Sequence, residues 1–258
     1  MIFYRPTDGD VHTGRIEYRP RTCFLMTRLG RRIPPEVDEI RSRLTTFFGI
    51  NKINIIDANT VVTGRDFLLK IWHILLGVPL GIAIITRNMS AQTFANIFYE
   101  IGLMQAYGKE TLVIKTAGTK VPSDFVRTEH IQFADDFEEK LGNFLQSFFN
   151  QAEYYKFYIA DQLENKNPLL AIDYLKRAYL ISGEEAYREE AIKIFEGASI
   201  KGRAKNSVEM LLIDFCSPQT SQKKDDKRIV TPVVVPAVME STISLDQPYV
   251  IPGKDAPT

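Results

Sequence analysis

The chain has 258 residues, of which 45% are hydrophobic, and its 32 basic side chains balance its 32 acidic ones. This length accommodates one large domain or a core domain with a helical annex. The charge balance excludes a protein that is held on nucleic acid by its overall positive field. With Cys23 and Cys216 as the two cysteines and only three histidines, we expect free thiols, no structural metal site and no cofactor.

Neither the N-terminal stretch nor the most apolar segment has the pattern of export or membrane insertion. Residues 1–22 contain no apolar core and no small-residue cleavage site. Lys70, His73 and Pro79 interrupt the most apolar stretch before it reaches the length of a transmembrane helix. The sequence therefore predicts a cytoplasmic protein without a membrane partner.

Short apolar runs alternate with amphipathic segments from residue 22 onward, which is typical of βαβ units around a parallel sheet. Most runs are almost continuously apolar, as expected for strands that are buried on both faces. We predict an α/β fold with a small doubly wound, flavodoxin-like parallel sheet of about five strands. The predicted strands are 22–27, 53–59, 80–86, 111–116 and 130–134, and the predicted helices are 35–48, 65–76, 92–107 and 136–164.

The pattern changes to helices alone after about residue 150, with a helical pair over 167–182 and 183–199. From residue 218 the prolines and charges are too frequent for a packed core, which indicates a flexible tail. We expect the annex and the apolar parts of the tail to contact a protein partner or a second copy. The predicted organisation is an N-terminal extension (1–21), the α/β domain (22–150), a helical annex (151–217) and the tail (218–258).

Ligands of doubly wound sheets bind in the crevice outside the carboxyl ends of the strands. Asp57 ends the second predicted strand, where its carboxylate would orient ribose hydroxyls or cap a turn. Arg28 follows the first strand and would clamp a phosphate or remain a solvated loop charge. Arg65 and Asp66 begin the next helix, where Arg65 would contact a phosphate and Asp66 would interact with the helix dipole.

The helix predicted over 92–107 has two distinct faces. Ile97 and Met104 lie on an ordinary core face, whereas Asn96 and Glu100 lie on a neighbouring face that mixes polar and apolar residues. If Glu100, which follows Tyr99, faces the crevice, partial desolvation makes it a candidate acid, base or nucleophile. The alternative is an ordinary glutamate at the solvated edge of a helix.

The segment NIFYEIGLMQAYGKETLVIK (96–115) resembles the helix–strand unit of the nucleoside 2-deoxyribosyltransferase-like superfamily, whose neighbours are the TIR-type NAD-cleaving domains. CFLMTRLG (23–30) resembles the first strand and ligand loop of that family, and VPSDF (121–125) resembles its segment after the fourth strand. The resemblance covers about residues 20–135. The residues that match the family motif are Asn96, Tyr99, Glu100, Gly102, Gly108 and Lys109.

This resemblance implies cleavage or transfer at the N-glycosidic bond of a nucleoside, a nucleotide or an NAD-like dinucleotide. It implies that Glu100 is the nucleophile, or stabilises the oxocarbenium-like state, at the sugar C1′ atom. It also implies a relation to bacterial antiviral defence and a homo-oligomeric state. The expected substrate-binding residues are Asn96, Tyr99, Asp57, Arg28, Arg65, Asp66, Ser123 and Asp124.

The sequence departs from the family pattern after the third strand. Many relatives carry an aspartate there, followed by an Asn-Pro-Asn run, whereas this chain reads IITRNMSAQTFAN (84–96) and retains only Asn96 of that run. Two alternatives therefore remain open. The crevice would belong to a non-catalytic module that senses a nucleotide or binds a protein, or the domain would be a scaffold with Glu100 on its surface.

Overall fold

Five parallel strands form one sheet in the part of the chain that the structure, a computed structural model, describes. Their order is β2-β1-β3-β4-β5, which confirms the doubly wound, flavodoxin-like prediction. The strands are β1 (Thr22–Met26), β2 (Asn54–Asp57), β3 (Leu80–Ile85), β4 (Glu110–Lys115) and β5 (Glu129–Gln132). The described residues are 9–10, 15–28, 33–58, 67–125, 128–197, 212 and 215–216, all within one compact unit of residues 1–218.

The predicted helices are confirmed, with ends that differ by one or two residues wherever both ends are described. Arg65, Asp66 and the predicted tail (218–258) lie outside the described residues. No described helix combines the length and the apolar character that crossing a membrane requires. The helices are α1 (Pro35–Ile50), α2 (Phe67–Gly77), α3 (Ala91–Ala106), α4 (Phe137–Glu164), α5 (Pro168–Ser182) and α6 (Ala186–Gly197), with a 3-10 turn at Ser123–Phe125.

Every residue of the central strands β1 and β3 is buried, because helices cover both faces of the sheet. Successive side chains of a strand point to opposite faces. In β1, Leu25 accordingly packs in the core that α1 and α4 share, whereas Phe24 and Met26 pack in the core of α2 and α3. The cores on the two sides of the sheet thus fix the register of each central strand.

The neighbouring strands β1 and β3 are followed by helices on opposite faces of the sheet. Helix α1 follows β1 on one face, and α3 follows β3 on the other. The point where the connections after β1 and β3 diverge is the topological switch point of the sheet. A crevice forms there, at the carboxyl ends of the strands.

Helix α4 joins the sheet to the helical annex, and it continues without interruption through residue 150, where we predict the domain boundary. Its first half packs on the sheet through residues such as Phe144, and Ile159 in its second half packs in the annex core. The annex core also contains Trp72 of α2 and Tyr18 from the segment before β1. The domain boundary stays a prediction.

We expect the close approach of α3 to the sheet to depend on Gly81 in β3. A methyl group at this position would overlap Met104 Sδ and come within 2.8 Å of Met26 Cε. We predict that Gly81→Ala lowers the free energy of unfolding by about 1–3 kcal/mol through overpacking. Gly102→Ala is the matched control, because its nearest new neighbour is Phe125 Cζ at 3.8 Å and alanine favours a helix. Urea unfolding measures both, and equal stability of the two variants would contradict the packing argument.

Candidate active site

A cavity of about 190 Å³ lies at the carboxyl end of β1, between α2 and α3. Its walls are mostly apolar, with a few polar groups contributed by α3 and by Thr27 just after β1, as is usual for sites that bind small molecules. The lining residues are Phe24, Leu25, Met26, Thr27, Ala58, Leu68, Ile71, Trp72, Thr93, Asn96, Ile97, Tyr99, Glu100 and Leu103.

Glu100 is the only charged side chain among the described residues that line this cavity. Its carboxylate has no hydrogen-bond or ion-pair partner within the described part of the chain. Desolvation by burial raises the pKa of Glu100 from 4.5 to about 7. A carboxylate with this pKa exchanges a proton near neutral pH and is poorly solvated when it is ionised, which suits it to act as a base or a nucleophile.

Helical spacing explains why α3 brings its polar face to the cavity. Thr93, Asn96 and Glu100 lie at positions i, i+3 and i+7, so they share one face of the helix. The helix is anchored by Ser90, whose hydroxyl accepts a hydrogen bond from the Thr93 backbone N–H at 3.2 Å. Burial of Ile101 on the sheet side of the helix sets the rotation that turns Glu100 toward the crevice.

The cavity wall formed by α2 is tied to the C-terminal end of α3. Trp72, which lines the cavity and is almost completely buried, donates a hydrogen bond from Nε1 to the Tyr107 hydroxyl at 2.9 Å. Lys109 Nζ donates to the Leu76 carbonyl at 2.9 Å. Gly108 adopts a positive φ of 65° between these contacts, a conformation that ends the helix and that glycine adopts without strain. Two motif residues, Gly108 and Lys109, thus hold the two helices of the site together.

Lys109 lies where the α/β fold meets the annex. Burial, followed by the nearby charges of Lys176 and Arg177, lowers the pKa of Lys109 to about 7. Arg177 also donates to the Gly108 carbonyl at 3.1 Å, and its Nε donates to Asp173 at 2.9 Å. Charged groups of α5 therefore contact the end of the helix that carries Glu100.

The structure does not bring Asp57 to the cavity. This carboxylate is 3% exposed and accepts a hydrogen bond from Arg41 Nη2 at 2.5 Å. In the sheet register Asp57 pairs with Leu25, and the side chain of its partner Arg41 comes from α1. Asp57 is therefore engaged on the α1 side of the sheet, opposite to the face that carries Glu100.

Other predicted binding residues also lie away from the cavity lining. Arg28 is exposed just after β1. Ser123 and Asp124 are exposed on the 3-10 turn, which packs on α3 through Phe125 at 4.8 Å from the Phe98 ring. Of the predicted set, the described cavity brings together Glu100 with Asn96 and Tyr99.

Sequence reasoning missed Thr27 and Thr93, two polar residues that line the cavity. The position of Thr27 at the end of the first strand was the available signal, because that is where a doubly wound sheet binds its ligand. Within the described ranges, no cluster of three or more histidine, cysteine, aspartate or glutamate side chains is placed to hold a metal ion.

Comparison with known proteins gives a distant structural similarity. No family model matches the chain. No curated protein matches it either. Among solved structures, a 2-deoxyribosyltransferase from the psychrotolerant bacterium Bacillus psychrosaccharolyticus aligns with a TM-score of 0.37 and 14% identity, over 47% of this chain and 90% of that one.

The raised pKa of Glu100 predicts a specific dependence of stability on pH. Between pH 4.5 and about 7 the folded state binds more protons than the unfolded state, so stability falls as pH rises. Glu100→Gln removes the ionisable group. We expect this variant to be about 1–3 kcal/mol more stable than wild type near pH 8, with the difference vanishing near pH 4.

Urea unfolding across this pH range tests the expectation. The control is Glu139→Gln, which makes the same chemical change at an exposed position of α4. Its stability should stay within about 0.5 kcal/mol of wild type. A Glu100→Gln variant that is less stable than wild type near pH 8 would contradict a desolvated carboxylate.

Proposed function

We propose that this protein cleaves, or transfers the sugar of, the N-glycosidic bond of a nucleoside-like substrate, with Glu100 at the anomeric carbon. The observation that carries the proposal is a desolvated carboxylate at the switch point of the sheet, in a cavity whose other described lining residues carry no charge. Such a cavity suits a sugar with an attached base, since apolar walls cover the rings and a few polar groups set their orientation. Glu100 also matches the glutamate of the family motif.

The chemistry needs a carboxylate at this point. When the bond between C1′ and the base nitrogen breaks, its electron pair leaves with the base, and positive charge develops on the sugar. The ionised Glu100 either stabilises this charge or bonds to C1′ to form a glycosyl ester. A water molecule then attacks C1′ and gives hydrolysis, or a second base attacks and gives transfer; the departing base takes up a proton.

Asn96 and Tyr99 are the proposed substrate-binding partners of Glu100. Asn96 lies one helical turn before Glu100 on the same face and offers an amide that both donates and accepts hydrogen bonds. Tyr99 is 51% exposed and places an aromatic ring beside the cavity, where a base can stack. The protein partner or second copy expected at the annex stays a prediction.

One observation favours a second function, a module that binds a nucleoside without cleaving it. Many relatives carry an aspartate just after the third strand, and that aspartate is missing from the segment IITRNMSAQTFAN (84–96) of this chain. The described cavity lining accordingly contains no second carboxylate to assist the departing base. This reading predicts binding without release of the base, so a chromatographic assay distinguishes the two functions.

Glu100→Gln tests the catalytic role. We expect wild type to release free base from at least one member of a panel of nucleosides, nucleotides and NAD, and the variant to lose at least about 10³-fold in rate. Glutamine keeps the shape of the side chain but neither bonds to C1′ nor carries negative charge. Chromatography of free base measures both proteins, with Glu139→Gln as the control for the loss of one exposed charge. Base release by Glu100→Gln at the wild-type rate would refute the proposal.

The pH profile tests the protonation state that Glu100 needs. Only the ionised carboxylate attacks C1′ or stabilises its positive charge, and burial raises the pKa of Glu100 to about 7. We therefore expect kcat/KM to increase with pH and to level off above about pH 7. Initial rates of base release between about pH 5 and 9 measure this. A rate that falls across pH 7 would instead assign Glu100 the role of a general acid.

A further inference from the structure

The hydroxyl of Thr27 is buried without a hydrogen-bond partner, although it lines the same cavity as Glu100. Thr27 is 5% exposed, and its Oγ1 atom is inaccessible in the described structure. A buried hydroxyl that gives up its hydrogen bonds to water costs free energy unless another group replaces them. An unpaired hydroxyl beside a cavity therefore indicates a group that a ligand would satisfy.

Other buried threonines of the chain form hydrogen bonds. Thr22 Oγ1 donates to the Pro20 carbonyl at 3.0 Å, and the hydroxyls of Thr116 and Thr119 lie 3.0 Å apart. Thr111 and Thr128 each accept a hydrogen bond from the side-chain amide of Gln105 at 2.9 Å. The unpaired hydroxyl of Thr27 thus contrasts with these five threonines, and the described chain has one other buried hydroxyl without a partner, that of Tyr187.

Thr27 follows the last residue of β1, the strand that lies between β2 and β3 in the sheet. The carboxyl end of β1 is one side of the switch point, so Thr27 lies where the fold leaves a crevice for a ligand. Asp57, the carboxylate at the end of the adjacent strand β2, is already bonded to Arg41. Thr27, by contrast, is a buried residue of the described cavity lining whose hydroxyl has unused hydrogen-bonding capacity.

We propose that Thr27 positions the substrate by a hydrogen bond between its hydroxyl, which rotation about the Cα–Cβ bond brings to the cavity, and a 2′- or 3′-hydroxyl of the sugar. This inference rests on the proposed function, because Glu100 can reach C1′ only if the sugar occupies the cavity that both residues line. A threonine hydroxyl both donates and accepts, which matches a sugar hydroxyl. A site that leaves this group unpaired without the ligand discriminates against analogues that lack the matching hydroxyl.

The experiment combines a variant of the protein with deletions in the ligand. Thr27→Val keeps the side-chain shape and removes the hydroxyl, and Thr27→Ser retains the hydroxyl. Each protein is assayed for base release, and for binding by calorimetry in a Glu100→Gln background. The ligands are adenosine, 2′-deoxyadenosine and 2′,3′-dideoxyadenosine, together with the corresponding uridine series.

We expect Thr27→Val to raise KM and Kd about tenfold for the nucleosides that carry the recognised hydroxyl, and to leave the dideoxy analogues unchanged. Thr27→Ser should restore most of the affinity. Because the change removes an unpaired polar group, the melting temperature of Thr27→Val should equal or exceed that of wild type. The control Thr116→Val deprives Thr119 of its partner, so it should lower the melting temperature without altering any KM.

An unchanged KM and Kd in Thr27→Val, or an equal loss for all the analogues, would overturn the role of Thr27. If nucleosides bind with the expected pattern but no base is released, the role of Thr27 stands and the catalytic proposal fails. If wild type releases base but Thr27→Val changes neither KM nor Kd, the catalytic proposal stands and the role of Thr27 fails. Failure of wild type to bind any of the six nucleosides would overturn the role of Thr27, whereas the catalytic proposal fails only if no member of the panel of nucleosides, nucleotides and NAD releases its base.

Discussion

The candidate site depends on the close packing of α3 against the central strands of the sheet. Gly81 in β3 has no side chain, so Met104 of α3 occupies the space that a methyl group would need. This contact and the burial of Ile101 set both the distance and the rotation of the helix. Because Glu100 lies on α3, the same packing determines how far its carboxylate is removed from water and hence its raised pKa.

The annex also holds the candidate site in place, because its charged and aromatic residues contact the ends of the helices that form the cavity. Lys109 bonds to the last turn of α2, and Arg177 of α5 bonds to the Gly108 carbonyl. Trp72 contributes at once to the cavity wall and to the annex core. Five of the six residues that match the family motif therefore divide into two groups. Glu100, Asn96 and Tyr99 face the cavity, whereas Gly108 and Lys109 hold its frame.

Two features of the residues that line the cavity cost the unliganded protein free energy. Among the described residues, Glu100 is desolvated without a partner, and Thr27 buries a hydroxyl without a hydrogen bond. Each lowers the stability of the unliganded protein, and each would be compensated by a ligand with hydroxyls and developing positive charge. A sugar that loses its base at C1′ has both properties, which is why the two observations support one proposal although they concern different residues.

The sequence alone determined the fold class and the order of strands and helices along the chain. It also identified Glu100 as the principal candidate for a catalytic residue. Apolar runs bounded by helical patterns suffice for a parallel sheet, and the spacing of Asn96 and Glu100 places them on one helix face. The tertiary structure decided which loop residues meet them. Asp57 pairs with Arg41, and Thr27 lines the cavity. Sequence periodicity identifies the ends of the strands, but the direction and partner of an end residue depend on contacts between segments distant in the chain, which only the packed structure supplies.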